Sequence, residues 1–189
     1  MNRVLVACEF SGIVRDAFRA RGHDAWSCDL LPSEQPGSHI QGNALDVLGN
    51  GWDLAICHPP CTALTRAGDR WYANSPERLK AALFVWLLAA APIRHIAIEN
   101  PRGALSRLWR RPDQVIQPWM FGEGETKATC LWLKNLPPLL ATVVDTGREP
   151  RAHYAAPGPD RWKERSRTLA GVANAMADQW GALLVEHAA

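Results

Sequence analysis

No apolar run is longer than the eleven residues Ala81 to Ala91. A bilayer-spanning helix needs about 20, so a membrane span is excluded. The N-terminus, Met-Asn-Arg-Val-Leu-Val-Ala-Cys, lacks the charged-then-apolar pattern of a signal peptide and reads as a first strand. A cytoplasmic location is expected. There is little charge of either sign in excess: 21 Lys and Arg stand against 19 Asp and Glu, a net +2. A basic coat for nucleic acid is therefore excluded, and any grip on phosphate must come from local clusters. The five cysteines, Cys8, Cys28, Cys57, Cys61 and Cys130, include no pair at CxxC spacing. That odd, unpaired set argues against a zinc site or disulfide framework, so no metal is expected and the thiols should be reduced. Internal repeats and low-complexity tracts are absent. With 189 residues the chain is too short for two ordinary domains and long enough for one with a substantial core.

What is present alternates between strand and helix patterns. Arg3 to Cys8 reads as a strand, followed by a helix from Ile13 to Arg21 that Gly22 stops. Ala25 to Cys28 is a second strand, ending at Asp29. Leu31 to Gly42 reads as a loop, Ala44 to Leu48 as a turn or short helix, and Asp53 to Cys57 as a buried third strand. Thr62 to Ser75 reads as an exposed, mobile loop. Pro76-Glu77 opens a helix to about Ala91, and Arg94 to Ile98 is a fourth strand. Val115 to Gln117 and Thr129 to Leu133 are strand-like. Asn135 to Asp160 is loop-rich, and Thr168 to Val185 is a closing amphipathic helix. The pattern predicts a single open α/β sheet, whose ligands bind at the carboxyl edge. Glu9/Ser11, Asp29, His58/Cys61 and Glu99/Asn100 all fall at that edge.

Two elements there carry chemistry. Cys61 follows two prolines just past a buried strand, and the prolines stiffen the loop that holds the thiol. A free thiol has a pKa near ~8.5, so a nucleophilic Cys61 needs help to ionise. The other four cysteines read as small buried hydrophobes. Glu99 emerges from the run Ile96-Ala97-Ile98. Desolvation there is expected to raise its pKa and make it a proton donor near neutral pH, although Pro101 also allows it to cap a following helix. His58 has no spaced His or Asp partner and reads as a packed or hydrogen-bonded side chain.

Pro59-Pro60-Cys61, after a strand beginning Asp53-Leu54, together with Glu99-Asn100, resembles the DNA cytosine-C5 methyltransferases. The chain as a whole resembles their small phage- and prophage-encoded members. The resemblance implies a class I S-adenosylmethionine-dependent methyltransferase fold. This is a Rossmann-like open sheet, mostly parallel, with a C-terminal antiparallel hairpin. It implies Cys61 as nucleophile and Glu99 as acid, with Asn100 and Pro60 orienting them. S-adenosylmethionine would lie against Phe10-Ser11-Gly12, Asp29, Asn43, Pro59 and Asn174, the last within Gly171-Val172-Ala173-Asn174-Ala175. DNA is the implied partner, with a cytosine flipped or single-stranded. Lys127 or Thr129 would contact the cytosine, while Arg66, Arg70, Arg102, Arg165 and Arg167 hold the strand and Trp162 stacks on a base. Gly12 is a lone glycine where the family has more, and Asn43 replaces an acid. Glu125-Thr126-Lys127-Ala128-Thr129 stands where the family has Gln-x-Arg-x-Arg. The loop-rich segment 135–165 is too short for a separate target-recognition domain, so a protein partner could supply recognition.

Three other readings remain open at this point. His58-Pro59-Pro60-Cys61 also resembles the Asp-Pro-Pro-Tyr loop of amino-methyltransferases acting on N4 of cytosine or N6 of adenine, but cysteine cannot stack on a base as tyrosine does. A free cytosine nucleotide would need no recognition domain. A non-catalytic module binding S-adenosylmethionine or nucleic acid would need no Cys61 chemistry.

Overall fold

A computed structural model describes residues 1–145, 147–154 and 158–186. Within the loop-rich segment 135–165, residues 146 and 155–157 lie outside the described residues. The strands are β1 (Arg3–Ala7), β2 (Asp24–Asp29), β3 (His39–Gln41), β4 (Leu54–Cys57), β5 (His95–Pro101), β6 (Gln114–Ile116) and β7 (Thr129–Lys134). The helices are α1 (Ile13–Arg19), α2 (Asp69–Tyr72), α3 (Pro76–Ala89), α4 (Leu105–Leu108), α5 (Arg151–Tyr154), α6 (Arg161–Ser166) and α7 (Ala170–Glu186). Short 3-10 turns cover Ala44–Val47 and Pro118–Phe121.

The strands form one sheet in the order β3-β2-β1-β4-β5-β7-β6. β3, β2, β1, β4 and β5 are parallel. β7 is antiparallel to both β5 and β6. Alternate residues of each strand enter opposite cores, as the pleat requires. Val4, Val6, Leu54, Ile56 and Ala97 pack on one face with Phe18 of α1 and Met176 and Trp180 of α7. Leu5, Ala7, Ala55, Cys57, Ile96 and Ile98 pack on the other with Ala82, Val85 and Leu88 of α3. Helices on both faces explain why the strands read as continuous apolar runs. The expected alternation and the terminal antiparallel hairpin are both present.

Three expectations are corrected. The segment read as a loop from Leu31 to Gly42 contains β3, which is too short and polar to show a strand period but pairs with β2 through Ser27 and His39. β5 does not stop at Ile98. It continues to Pro101 because β7 pairs with it as far as Thr129, so Glu99 lies within a strand rather than capping a helix. The stretch after Cys61 is not a loose loop. It forms α2, buries Ala63 and Leu64, and bridges Gly103 from Thr65.

That bridge ties the chain after Cys61 to the chain after Glu99. Ala104 N donates to Leu64 O at 2.7 Å. Gly103 is required by the approach: a Cβ there would lie 1.9 Å from Leu64 O. Replacing Gly103 by alanine is therefore expected to destabilise the protein by about 1–3 kcal/mol, the usual range for forced overpacking. Urea unfolding of the variant against the parent measures this, and an unchanged midpoint would count against the close packing of the two segments.

Candidate active site

The parallel strands end together at one edge. β4 pairs with β1 at Cys57 and Ala7, and with β5 at Cys57 and Ile98. The residues that follow are therefore neighbours: Glu9 after β1, His58 after β4, and Glu99 next in β5. His58 N donates to Ala7 O at 2.9 Å, which fixes the start of the Cys61 loop. Asn100 Nδ2 donates to Pro59 O at 3.0 Å from a fully buried position. Asn100 thus ties the proline loop to β5, and with it the thiol to the carboxyl beside it.

The centre of the site is a contact that sequence reasoning did not anticipate. His58 Nδ1 lies 2.6 Å from Glu99 Oε2, and the two side chains are only 10% and 14% exposed. Burial pushes the Glu99 pKa up, but the hydrogen bond and charge of His58, with help from Lys127 and a Thr168 hydrogen bond, outweigh it and hold the carboxyl below its ordinary range. For His58, burial disfavours the charge, and the bond to Glu99 with the carboxylates of Glu99 and Glu9 raises its pKa above the ordinary value. Glu99 is desolvated as expected, but its pKa lies below the ordinary value rather than above it. His58 was passed over because its partner is 41 residues away, and no local spacing reports such a pair.

Cys61 is half-buried beside this pair. Burial and the Glu99 charge push its thiol up, while Lys127 and Arg165 pull it down. At rest it is a thiol, not a thiolate. Burial also pushes Cys57 up to about 12, and burial with the Asp29 and Asp46 charges pushes Cys28 to about 11. Cys28, Cys57 and Cys130 are fully buried, and Cys8 is half-buried with its thiol pushed up chiefly by desolvation.

The structure brings several expected residues to the same place. Glu99, Lys127 and Thr129 line one small cavity, together with Thr168, Leu169 and Val172. A wider cleft shares Lys127 and Leu169 and adds Arg165 and Arg167. Thr168, like His58, was not anticipated. It is reached only because the turn ahead of α7 returns to the carboxyl edge beside Glu99.

At the β1 and β2 ends, Ser11 Oγ donates to Glu9 Oε1 at 3.2 Å, and Glu9 also accepts from Val14 N and Arg15 N. Gly12 has a left-handed φ of +76°, and a Cβ on it would meet the Arg15 guanidinium at 2.6 Å. Asp29, half-buried, accepts from Leu31 N. The Phe10 ring is buried, with the exposed Trp162 of α6 tilted against it at a centroid distance of 5.9 Å.

Asn43 and Asn174 stand apart from these groups. Asn43 is an exposed cap that accepts from Leu45 N. Asn174 is exposed and accepts from Arg21, beyond the C-terminal end of α1 and away from the Gly12 turn. Arg167 is engaged by Glu34 at 2.7 Å. Lys127 Nζ donates to Arg167 O. Arg66, Arg70 and Arg102 are exposed, and the Arg70 guanidinium lies over the Trp71 ring at 4.7 Å. Among the described residues, no group of three or more His, Cys, Asp or Glu side chains is placed to hold a metal, and no helix is long and apolar enough to cross a membrane.

The His58–Glu99 pair has a stability signature. His58, with its pKa raised on folding, contributes fully below its unfolded value of about 6.5 and loses that contribution as pH rises through the folded value. Glu99, with its pKa lowered, contributes fully above about 4.3 and loses it as pH falls through the folded value. Urea unfolding of the parent and of Glu99→Gln should therefore differ most between about pH 4.5 and 6.5. The difference should shrink on either side, and one that grows towards pH 9 would contradict the charged pair.

No protein-family model and no curated protein matches the sequence. Among solved structures, the fold is similar to the Dnmt2 methyltransferase of S. pombe, at 18% identity and a TM-score of 0.51, over 73% of this chain and 52% of that one. A protein described as a DNA modification methyltransferase encoded within an E. coli prophage aligns at 16% identity and a TM-score of 0.49, over 83% of this chain and 56% of that one. The chain spans about half the length of each. The likeness to the S. pombe structure shows the fold alone: this chain shares that structure's α/β architecture.

Proposed function

We propose that the protein transfers a methyl group from S-adenosylmethionine to C5 of cytosine in DNA, through a covalent bond between Cys61 Sγ and C6. The carrying observation is the convergence of one half-buried thiol, Cys61, with the carboxylate of Glu99 and the cation of Lys127. They meet at the carboxyl edge of the sheet, where open α/β folds place their chemistry. Cytosine C5 is a poor nucleophile. Attack of sulfur on C6 turns the ring into an enamine whose C5 accepts an electrophile. The negative charge that develops on the ring is stabilised by a proton at N3, the task of Glu99.

The chain's own residues account for the rest of the cycle. Cys61 favours its protonated form at rest, because burial and the Glu99 charge push its pKa up. Lys127 and Arg165 favour the thiolate as it forms. Asn100 keeps the Pro59-Pro60 loop at a constant distance from β5. After methyl transfer, loss of the C5 proton and departure of sulfur restore the aromatic ring. S-adenosylmethionine supplies the electrophilic methyl on a sulfonium. Phe10 and the Asp29 carboxylate suit it, as an apolar ring and an acceptor for ribose hydroxyls, while the space over Gly12 is taken by the Arg15 guanidinium. Asn43 and Asn174 do not join that group.

We read 1–189 as one catalytic domain in which the segment 135–165 takes the place of a target-recognition domain. Arg165 and the exposed Arg66, Arg70 and Arg102 are the proposed phosphate contacts. The test is incubation of the purified protein with plasmid DNA and S-adenosylmethionine, digestion to nucleosides, and mass spectrometry. New 5-methylcytosine is expected, falling to background in Cys61→Ala and by about 10²–10⁴-fold in Glu99→Gln, the span for a lost acid–base group. N4-methylcytosine or N6-methyladenine would overturn the Cys61 mechanism. A product on free cytidine nucleotide alone would overturn DNA as the substrate.

A further inference from the structure

The contact between His58 and Glu99 is more than packing requires. A buried histidine that only fills space satisfies both ring nitrogens or keeps one in water. His58 does neither: Nδ1 is engaged by Glu99 at 2.6 Å, and Nε2 is buried with no hydrogen-bond partner among the described residues. The groups facing the imidazole are two carboxylates, Glu99 from β5 and Glu9 from the end of β1, and one cation, Lys127 ahead of β7. Cys61, on the same loop as His58, faces Glu99. An imidazolium donating from Nδ1 pairs directly with the Glu99 carboxylate, while burial raises the pKa of Glu9 against the opposing pull of His58.

We propose that His58 is the positioning residue through which Glu99 acts, holding at Nδ1 the proton that Glu99 delivers to N3 of the target cytosine. This rests on the cytosine reading above. The carboxyl cannot store the proton itself, because His58 at hydrogen-bond distance favours its ionised form. The two side chains work as a single acid carrying one proton. As sulfur bonds to C6, the thiol proton leaves to water and the ring electrons move towards N3. The Nδ1–H bond of His58 breaks, an O–H bond forms on Glu99, and that O–H bond breaks in turn as N3–H forms. His58 is left neutral. When sulfur departs and aromaticity returns, the N3 proton goes back to Glu99 and then to Nδ1. In this arrangement Glu99 is anionic before the base arrives, able to accept from the cytosine amino group, and acidic once the ring becomes basic.

The experiment has two arms. The first observes the imidazole nitrogens of His58 by ¹⁵N NMR in the substrate-free protein from pH 5 to 9, with the signals assigned by their absence in His58→Asn. Both nitrogens are expected to be protonated at pH 7 in the parent, and the ring to be neutral at pH 7 in Glu99→Gln. The second measures single-turnover methylation of DNA against pH. His58→Asn should be about 100-fold slower than the parent at pH 8, the lower limit of a general-acid effect, with the DNA concentration for half-maximal rate and the steady-state KM for DNA unchanged. It should recover as pH falls, since Glu99 must then carry its own proton. A neutral His58 at pH 6 in a protein that makes 5-methylcytosine overturns the His58 assignment alone. So does a His58→Asn defect that is equal at every pH or confined to KM. A parent protein that makes no 5-methylcytosine overturns the cytosine reading itself, and this inference with it.

Discussion

The register that aligns Ala7 of β1, Cys57 of β4 and Ile98 of β5 is the constraint on which the site depends. Parallel strands in register deliver their next residues to one edge. Glu9, His58 and Glu99 are brought together there with no sequence proximity between them. A slip of one residue in β5 would turn Glu99 to the other side of the sheet. The register is held by apolar residues on both faces, so the two cores that stabilise the fold also aim the polar groups.

Charge at that edge is buried, and buried charge persists only when it is paired. The cluster obeys this with His58 against Glu99 and Lys127 close by, while Glu9 accepts from Ser11 and from Val14 N and Arg15 N. Asn100 and Thr168 add neutral hydrogen bonds to the same frame. Rigidity follows from the connections: Asn100 to Pro59, Ala104 to Leu64, and β7 along β5. The segment after Cys61 is thereby part of the scaffold, and its exposed Arg66, Arg70 and Trp71 are carried on a packed element.

α6 and the start of α7 cover the edge from above. Trp162 leans on Phe10, Arg167 grips Glu34, and Thr168 reaches Glu99. These contacts join the C-terminal part of the chain to the loops after β1 and β2 and to β5 itself. The cleft lined by Arg165 and Arg167 exists only because this segment returns to the sheet.

Strand and helix alternation, the buried strands β1, β4 and β5, and the Pro-Pro-Cys and Glu-Asn placements were legible in the sequence, because apolar periodicity and proline act locally. β3 escaped because three residues, His39-Ile40-Gln41, are too few to carry a period, and the extension of β5 escaped because it depends on β7 lying alongside. The ionisation of Glu99 was read in the wrong direction. Desolvation can be guessed from neighbours in sequence, but a histidine 41 residues away cannot. Asn174 matched a motif yet sits at the far end of α1. The sequence by itself determined the fold class and which residues reach the carboxyl edge, since both follow from local pattern. Only the tertiary structure decided which of them touch, and so which proton sits where, because a pKa in a buried site is set by partners that only folding brings near.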